Sequence, residues 1–336
     1  MERVPILVAG GAGYIGSAIT ELLLERGYPV TVYDNLSHGY RDAVPAGARF
    51  VQGDVGDRES LEGVLRQDRI AAVIHMAAFI EVGESTREPF KYLENNTLRG
   101  VALLQAMEQC GVRMLVLSST AAVYAPSAEP LREISPLAPA SPYGLSKLYL
   151  ERLLAWYSTR GLHYFALRYF NAAGATRQCR ERHQPESHLI PRVLEAADGG
   201  EPIQIFGDDY ATRDGTCVRD YIHVRDLAEA HLLALDMLSR EPEGAAAAPP
   251  ELAARALNVG NGEGFSVREV VAAAARVSGR PIPQVMRARR PGDVDGLVAD
   301  AGKLRALGWQ PQHRDLEAIV ASAWEAKLRA RTAARA

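Results

Sequence analysis

With 336 residues, 47% of them hydrophobic, the chain has material for two lobes or one large α/β domain with an appended part, and its composition excludes a disordered protein. A formal net charge of −3 gives no reason to expect nucleic acid or an anionic membrane as a partner. Cys110, Cys179 and Cys217 are odd in number and widely spaced with no C-x-x-C pair, so reduced thiols are expected, and no disulfide frame, zinc site or other metal site.

In chain order, Val4 to Ala9 is a short apolar run, and Gly10-Gly11-Ala12-Gly13-Tyr14-Ile15-Gly16 follows directly. The run is too short for the h-region of a secretory signal, and no stretch approaches the roughly 20 apolar residues that span a bilayer. A soluble, cytoplasmic protein is expected. From Ser17 to Arg26 the pattern is helical, with Ile19, Leu22 and Leu23 on one face and Gly27 as a stop. Strand, glycine turn and helix in this order form a dinucleotide-binding start. Gly10, Gly13 and Gly16 permit a tight turn and close approach of a pyrophosphate, and the helix N-terminus offers unpaired N–H groups. A second strand, Pro29 to Tyr33, ends in Asp34. An acid at that distance from the glycines accepts hydrogen bonds from a ribose hydroxyl and repels a 2′-phosphate, which selects NAD over NADP.

Arg49 to Gln52 reads as a third strand, and Ile70 to His75 as a fourth, followed by Met76-Ala77-Ala78. His75, closing a buried strand, reads as structural. Asn95-Asn96 is expected to open a helix through Leu103, Leu104 and Met107. Met114 to Leu117 is a fifth strand delivering Ser118-Ser119-Thr120, and Tyr143 opens a helical pattern to about Arg160. Phe165 to Arg168 is a sixth strand, ending at Tyr169-Phe170-Asn171. This alternation predicts an α/β fold: a Rossmann-type, doubly wound parallel sheet with a smaller C-terminal substrate-binding lobe. The expected division is a nucleotide-binding domain over 1–175, with segments near 220–238 returning to it, and a lobe over 176–330. Short strands at Pro202–Phe206 and Tyr221–Val224 and a helix over Arg225–Leu238 follow. Glu241 to Pro250 reads as an exposed, mobile insert, and the last alanine and arginine residues as a frayed end.

Tyr143 and Lys147 stand four apart at the start of a helix, facing the same way. A lysine ammonium there, together with a nicotinamide cation, is expected to lower the tyrosine pKa toward that of a base. Thr120, at a strand's carboxyl end, can share a proton with a substrate hydroxyl. This trio, after a dinucleotide fold, identifies short-chain dehydrogenase/reductase chemistry: hydride transfer at a carbinol carbon.

From about Val4 to Trp309 the chain resembles the extended short-chain dehydrogenase/reductases that act on nucleotide sugars, and within them the branch that epimerises UDP-hexoses at C4. The resemblance rests on the glycine turn, Tyr33-Asp34-Asn35-Leu36, Val82 to Ser85, Ser118 to Tyr124, Ser141 to Gly144 and Arg168 to Asn171. It continues through Gly207 to Tyr210, Asp214 to Thr216, Val218 to Val224 and Arg289 to Asp293. Related dehydratases carry an Asp-Glu pair after the strand-five hydroxyl residue, and decarboxylases an acid there. This chain has Ala121-Ala122, which cannot exchange a C5 proton or protonate a leaving hydroxide.

The resemblance implies reversible oxidation at C4 of UDP-glucose or UDP-galactose, turning of the 4-keto sugar, and hydride return to the opposite face, with tightly bound NAD regenerated each cycle. It implies that Thr120, Tyr143 and Lys147 are catalytic. It implies that Gly10, Gly13, Tyr14, Ile15, Gly16, Asp34, Asn35, Asp54, Val55, Ala77, Asn96, Lys147 and Tyr169 hold NAD. Besides Thr120 and Tyr143, Asn171, Leu189, Phe206, Arg219, Arg290 and Asp293 would bind the UDP-sugar. A homodimer through Asn96–Met107 and Tyr143–Arg160 is implied as well. The chain has Ile80 where some members have a cofactor-contacting lysine. Leu297 stands where a bulky residue blocks N-acetylated sugars and a small one admits them, so a 4-epimerase of another UDP-sugar is the alternative within enzymes. A non-catalytic NAD-sensing protein is the alternative outside them.

Overall fold

A computed structural model of the chain describes residues 3–242, 244, 246–290 and 293–333. Glu243 and Ala245 of the expected insert, Pro291 and Gly292 of the Arg289–Asp293 motif, and residues 334–336 of the expected frayed end lie outside the described residues. The strands are β1 Ile6–Ala9, β2 Val30–Asp34, β3 Arg49–Gln52, β4 Ala72–His75, β5 Met114–Thr120, β6 His163–Tyr169 and β7 Asn171–Ala173. They continue as β8 Ile203–Phe206, β9 Val218–His223, β10 Ala256–Val259, β11 Gly264–Ser266, β12 Gln284–Arg287 and β13 Gly296–Leu297. The helices are α1 Tyr14–Glu25, α2 Arg58–Gln67, α3 Val82–Arg87, α4 Pro89–Tyr92, α5 Arg99–Gln109 and α6 Pro142–Tyr157. They continue as α7 Leu189–Ala197, α8 Val224–Leu238, α9 Leu252–Arg255, α10 Val267–Ser278, α11 Gly302–Ala306 and α12 Leu316–Ala333. Among the described residues no helix is long and apolar enough to cross a membrane.

Two compact units emerge, each assembled from separated stretches of chain. The first comprises Met1–Ala125, Glu133–Arg168 and Ala228–Asn258; the second comprises Pro126–Arg132, Tyr169–Leu227 and Val259–Ala336. The first unit is built on a seven-stranded sheet in the order β10-β6-β5-β4-β1-β2-β3. β1 pairs in parallel with β2 on one side and β4 on the other, so the strand order reverses at β1. Ligands of open α/β sheets bind outside the carboxyl ends of the strands at such a switch point. All four residues of β1 and of β4 are buried, as strands covered on both faces require. One face packs Leu7, Val73 and Leu115 with Leu61 of α2 and Leu103 of α5.

The second unit holds a four-stranded sheet centred on β9, which pairs with β7 and β13 in parallel and with β11 antiparallel. β8 and β12 form a separate parallel pair. Its core gathers Val193 and Leu194 of α7, Val270 and Ala273 of α10, and Ile319 and Val320 of α12.

Two local expectations change. Asn96 does not open a helix: Leu93–Leu98 forms a π-helical turn that runs into α5, and no side chain caps it. Asparagine near a helix start usually caps an amide, but Asn96 bonds to distant segments instead. The beginning of the expected insert is anchored, with Glu241 bonded to His163 Nδ1 at 2.8 Å and ion-paired to Arg255.

Candidate active site

In the first unit, the chain leaving β1 turns at Gly10, whose φ is +83°. A Cβ at Gly10 would lie 2.5 Å from the Ala77 amide nitrogen, so only glycine lets the turn close against the exit of β4. A Cβ at Gly13, by contrast, would meet only the Gly10 carbonyl at 3.3 Å, leaving open space beside the first turn of α1, where Tyr14 and Ile15 stand and Gly16 lies buried. That space, beside the N-terminal turn of a helix, suits a pyrophosphate. At the end of β2, Asp34 accepts hydrogen bonds from the Ala12 amide at 3.0 Å and the Leu36 amide at 2.8 Å. Burial raises the Asp34 pKa and these two bonds oppose the rise. Asn35 donates to Asp54 at 2.9 Å, Arg99 pairs with the same carboxylate, and Val55 beside it is buried. The glycine turn, the open first turn and the acids closing β2 and following β3 therefore fit NAD. Asn96 is 1% exposed, and its amide bonds Phe79 O at 3.0 Å, Ser146 Oγ at 3.1 Å and the Phe79 amide at 2.9 Å. It joins the loop after β4 to the start of α6.

The catalytic candidates meet at the carboxyl end of β5. Thr120 closes that strand, and its hydroxyl accepts from the Ala122 amide at 3.1 Å. Ser141 caps α6 by accepting from the Gly144 amide at 3.2 Å, and Pro142 occupies the first turn. A Cβ on Gly144 would stand 2.3 Å from the Ala122 carbonyl oxygen, so the helix start and the turn after Thr120 are in backbone contact. This contact brings Tyr143 within a side-chain hydrogen bond of Thr120. Burial pushes Tyr143 up to about 12, and the Thr120 bond only partly offsets it. The expected lowering of Tyr143 by Lys147 does not occur in the protein alone. Lys147 is itself buried, pushed down to about 7 by desolvation against the opposing pull of Glu151, and it donates to the Ser118 carbonyl at 2.8 Å.

In the second unit the structure brings four of the nucleotide-side candidates together. The Arg290 guanidinium lies 3.9 Å from the Phe206 ring centroid, and Arg219 pairs with Asp293, which also accepts from Tyr210 at 3.1 Å. Leu297 is the register partner of Arg219 across β13 and β9. Asn171 opens β7, opposite Tyr221 of β9, and Leu189 is the first residue of α7. Tyr169, the last residue of β6, is partly buried.

Residues 6–248 match the model of the NAD dependent epimerase/dehydratase family. The chain belongs to that family. A UDP-glucose 4-epimerase of Streptomyces lividans is 50% identical over 325 residues, covering 95% of this chain and 94% of the relative. A UDP-glucose 4-epimerase from Brucella ovis, solved in complex with NAD, superposes with a TM-score of 0.89 at 42% identity, covering 96% of this chain and 98% of that one. A UDP-glucose-4-epimerase from Stenotrophomonas maltophila, with bound NAD and formylated UDP-arabinopyranose, gives 0.91 at 37% identity, covering 98% and 100%.

Beside Thr120, Tyr143 and Lys147 lies a buried polar network that the sequence reading missed. Arg168 of β6 and Glu151 of α6 are ion-paired with side-chain exposures of 0% and 1%. Glu151 also accepts from Ser119 at 2.5 Å, and Arg168 donates to Tyr124 Oη at 3.0 Å, which donates in turn to Asn258 at 2.6 Å. The network ties β5, β6 and β10 to the helix carrying Tyr143 and Lys147. A detectable signal existed: Glu151 stands one helical turn beyond Lys147, and Arg168 interrupts an apolar strand. His75 is buried at the end of β4 with neither ring nitrogen hydrogen-bonded. Burial, and then the nearby Lys147 charge, lower its pKa to about 3, so it is a neutral imidazole.

Proposed function

We propose that the protein is an NAD-dependent 4-epimerase that interconverts UDP-glucose and UDP-galactose. The observation that carries this reading is the placement of Thr120, Tyr143 and Lys147 at the end of β5, in the same unit as the dinucleotide cradle, with alanines at 121 and 122. A hydroxyl pair followed by alanines at 121 and 122 suits oxidation and reduction at one carbon and offers no acid at those two positions for eliminating water.

Bound NAD supplies the acceptance and return of hydride at its nicotinamide C4. Tyr143 takes the proton of the substrate 4-hydroxyl as that carbon is oxidised and gives it back when the carbon is reduced. Thr120 holds the same oxygen through its hydroxyl, whose lone pair is already oriented by the Ala122 amide. Lys147 holds the nicotinamide ribose and, in its charged form, favours the Tyr143 phenolate. Asp34, Asn35 and Asp54 hold the adenosine end. On the nucleotide side of the substrate we assign Arg219 and Arg290 to the diphosphate, Asp293 to the uridine ribose, and Phe206, Asn171 and Leu189 to the remaining contacts; guanidinium forks suit a diphosphate on a protein of net negative charge. The 4-keto sugar then turns over and is reduced on its other face.

We further assign a homodimer located in the cytoplasm. The helices expected to pair carry exposed apolar side chains, with Leu98 64% and Trp156 65% exposed, and Phe90 beside them 82% exposed.

The deciding experiment incubates purified protein with UDP-galactose, without added NAD, and follows the anomeric protons by NMR. A mixture of UDP-glucose and UDP-galactose is expected. Activity confined to UDP-GalNAc or UDP-xylose would replace this substrate with another UDP-sugar, and silence with every sugar after NAD addition would overturn the enzyme reading.

A further inference from the structure

Four side chains in the second unit converge within eight residues of chain: Glu181, His183, Glu186 and His188. One ligand atom from each lies within 4.8 Å of those of the other three. Glu181 Oε1 is 3.2 Å from His183 Nδ1 and 2.9 Å from His188 Nδ1, and His188 Nδ1 is 2.9 Å from Glu186 Oε1. The side chains of Glu181, Glu186 and His183 are 8%, 12% and 18% exposed and that of His188 is 34% exposed, so three of the four groups are largely enclosed. None of the four belongs to the chemistry proposed for the trio.

We propose that Glu181, His183, Glu186 and His188 form a binding site for one divalent transition-metal ion of the zinc class. Zinc binds imidazole nitrogen and carboxylate oxygen at about 2.0–2.2 Å in a tetrahedron, which places ligand atoms about 3.3–3.5 Å apart. The three contacts of 2.9–3.2 Å fall a little short of that edge length and the other separations stay within 4.8 Å, so an ion enters once the contacting pairs spread by a few tenths of an ångström and the longer ones close. Two carboxylates and two neutral imidazoles balance a charge of +2. Calcium and magnesium prefer all-oxygen shells, whereas imidazole selects zinc and its neighbours in the first transition row. Considering only cysteines for metal binding hides this site; the sequence signal is Glu-x-His-x-x-Glu-x-His.

The site is structural. His188 directly precedes α7, and its side chain caps no amide of that helix, being turned to the carboxylates instead. An ion held there clamps the loop that delivers Leu189.

The test uses full-length protein without an affinity tag, stripped with EDTA, mixed with zinc and passed through a desalting column before metal analysis. Retention of one zinc per chain is expected. Glu181→Gln and His188→Gln should each weaken zinc by at least the about 10- to 100-fold that loss of an outer-shell partner costs. No retained zinc, or equal retention by wild type and both variants, would overturn the proposal. Should the variants misfold, the visible spectrum of the wild type loaded with cobalt decides: strong four-coordinate bands support the site, and the weak spectrum of hydrated cobalt refutes it. A cluster held together by its own hydrogen bonds, without a metal, would produce the second result.

Discussion

Burial pushes Tyr143 up to about 12, far from a working base, so the role proposed for it requires the cofactor's positive charge to lower that value. Tyr143→Phe should therefore lower turnover by about 10²- to 10⁴-fold while the purified variant still carries NAD, measured as nucleotide released on acid denaturation. Near-normal turnover would remove Tyr143 from proton transfer. His75 gives a pH-dependent prediction with a definite sign. Its folded pKa of about 3 lies below the ordinary 6.5, so the unfolded chain binds the extra proton between these values. Stability is thus lost as pH falls through that window, by about 1.4 kcal/mol per pH unit for this one group. His75→Leu should remove the slope: the gap in urea midpoint between variant and wild type should widen in the variant's favour from pH 7 to pH 4.5. A constant gap would mean that His75 is solvated or paired.

Helix α6 holds Tyr143 and Lys147, to which the chemistry is assigned by proposal, and two features of its surroundings set where Tyr143 stands. Gly144→Ala places a methyl group against the Ala122 carbonyl, so the helix start must retreat from Thr120. The expected signature is a fall in kcat with retained NAD; an unchanged kcat would show that the helix tolerates the shift. Glu151 lies one turn past Lys147 and neutralises Arg168 in the interior. Glu151→Gln should destabilise by about 3–5 kcal/mol, because it leaves a buried guanidinium uncompensated, whereas Glu151→Leu with Arg168→Met should recover much of that loss. Equal melting temperatures for the single and double variants would contradict the pairing. The strands and helices of the first unit were legible because buried parallel strands are continuous apolar runs and Gly10 and Gly27 punctuate them. Glu151 and Arg168 were not legible as partners: they are 17 residues apart, and a charged residue on a helix ordinarily reads as solvated. Asn96 misled for a related reason, since its amide satisfies Phe79 and Ser146 across the fold and not a neighbouring turn. The nomination of Tyr143, Lys147 and Thr120 came from spacing and chemistry, whereas the roles given to Asn171, Leu189 and Phe206 came only from resemblance.

At the scale of the whole molecule, the exposed Leu98 and Trp156 make the proposed dimer testable. Leu98→Asp with Trp156→Asp should halve the mass measured by light scattering at micromolar concentration and leave NAD bound. A monomeric wild type would sink the assignment. The seven-stranded sheet has a further consequence, one that concerns synthesis. Its last strand, β10, begins at Ala256, 87 positions after β6 ends at Tyr169, yet β6 is its neighbour. At about 5–20 residues per second, the ribosome needs on the order of 4–17 s to make that interval. Throughout it the nascent chain carries β6 as an open, apolar edge, the kind of surface on which strands of other chains pair. Chaperone demand during translation should therefore peak between those two strands, and a stall placed there should yield aggregate where one placed after Val259 yields folded first unit.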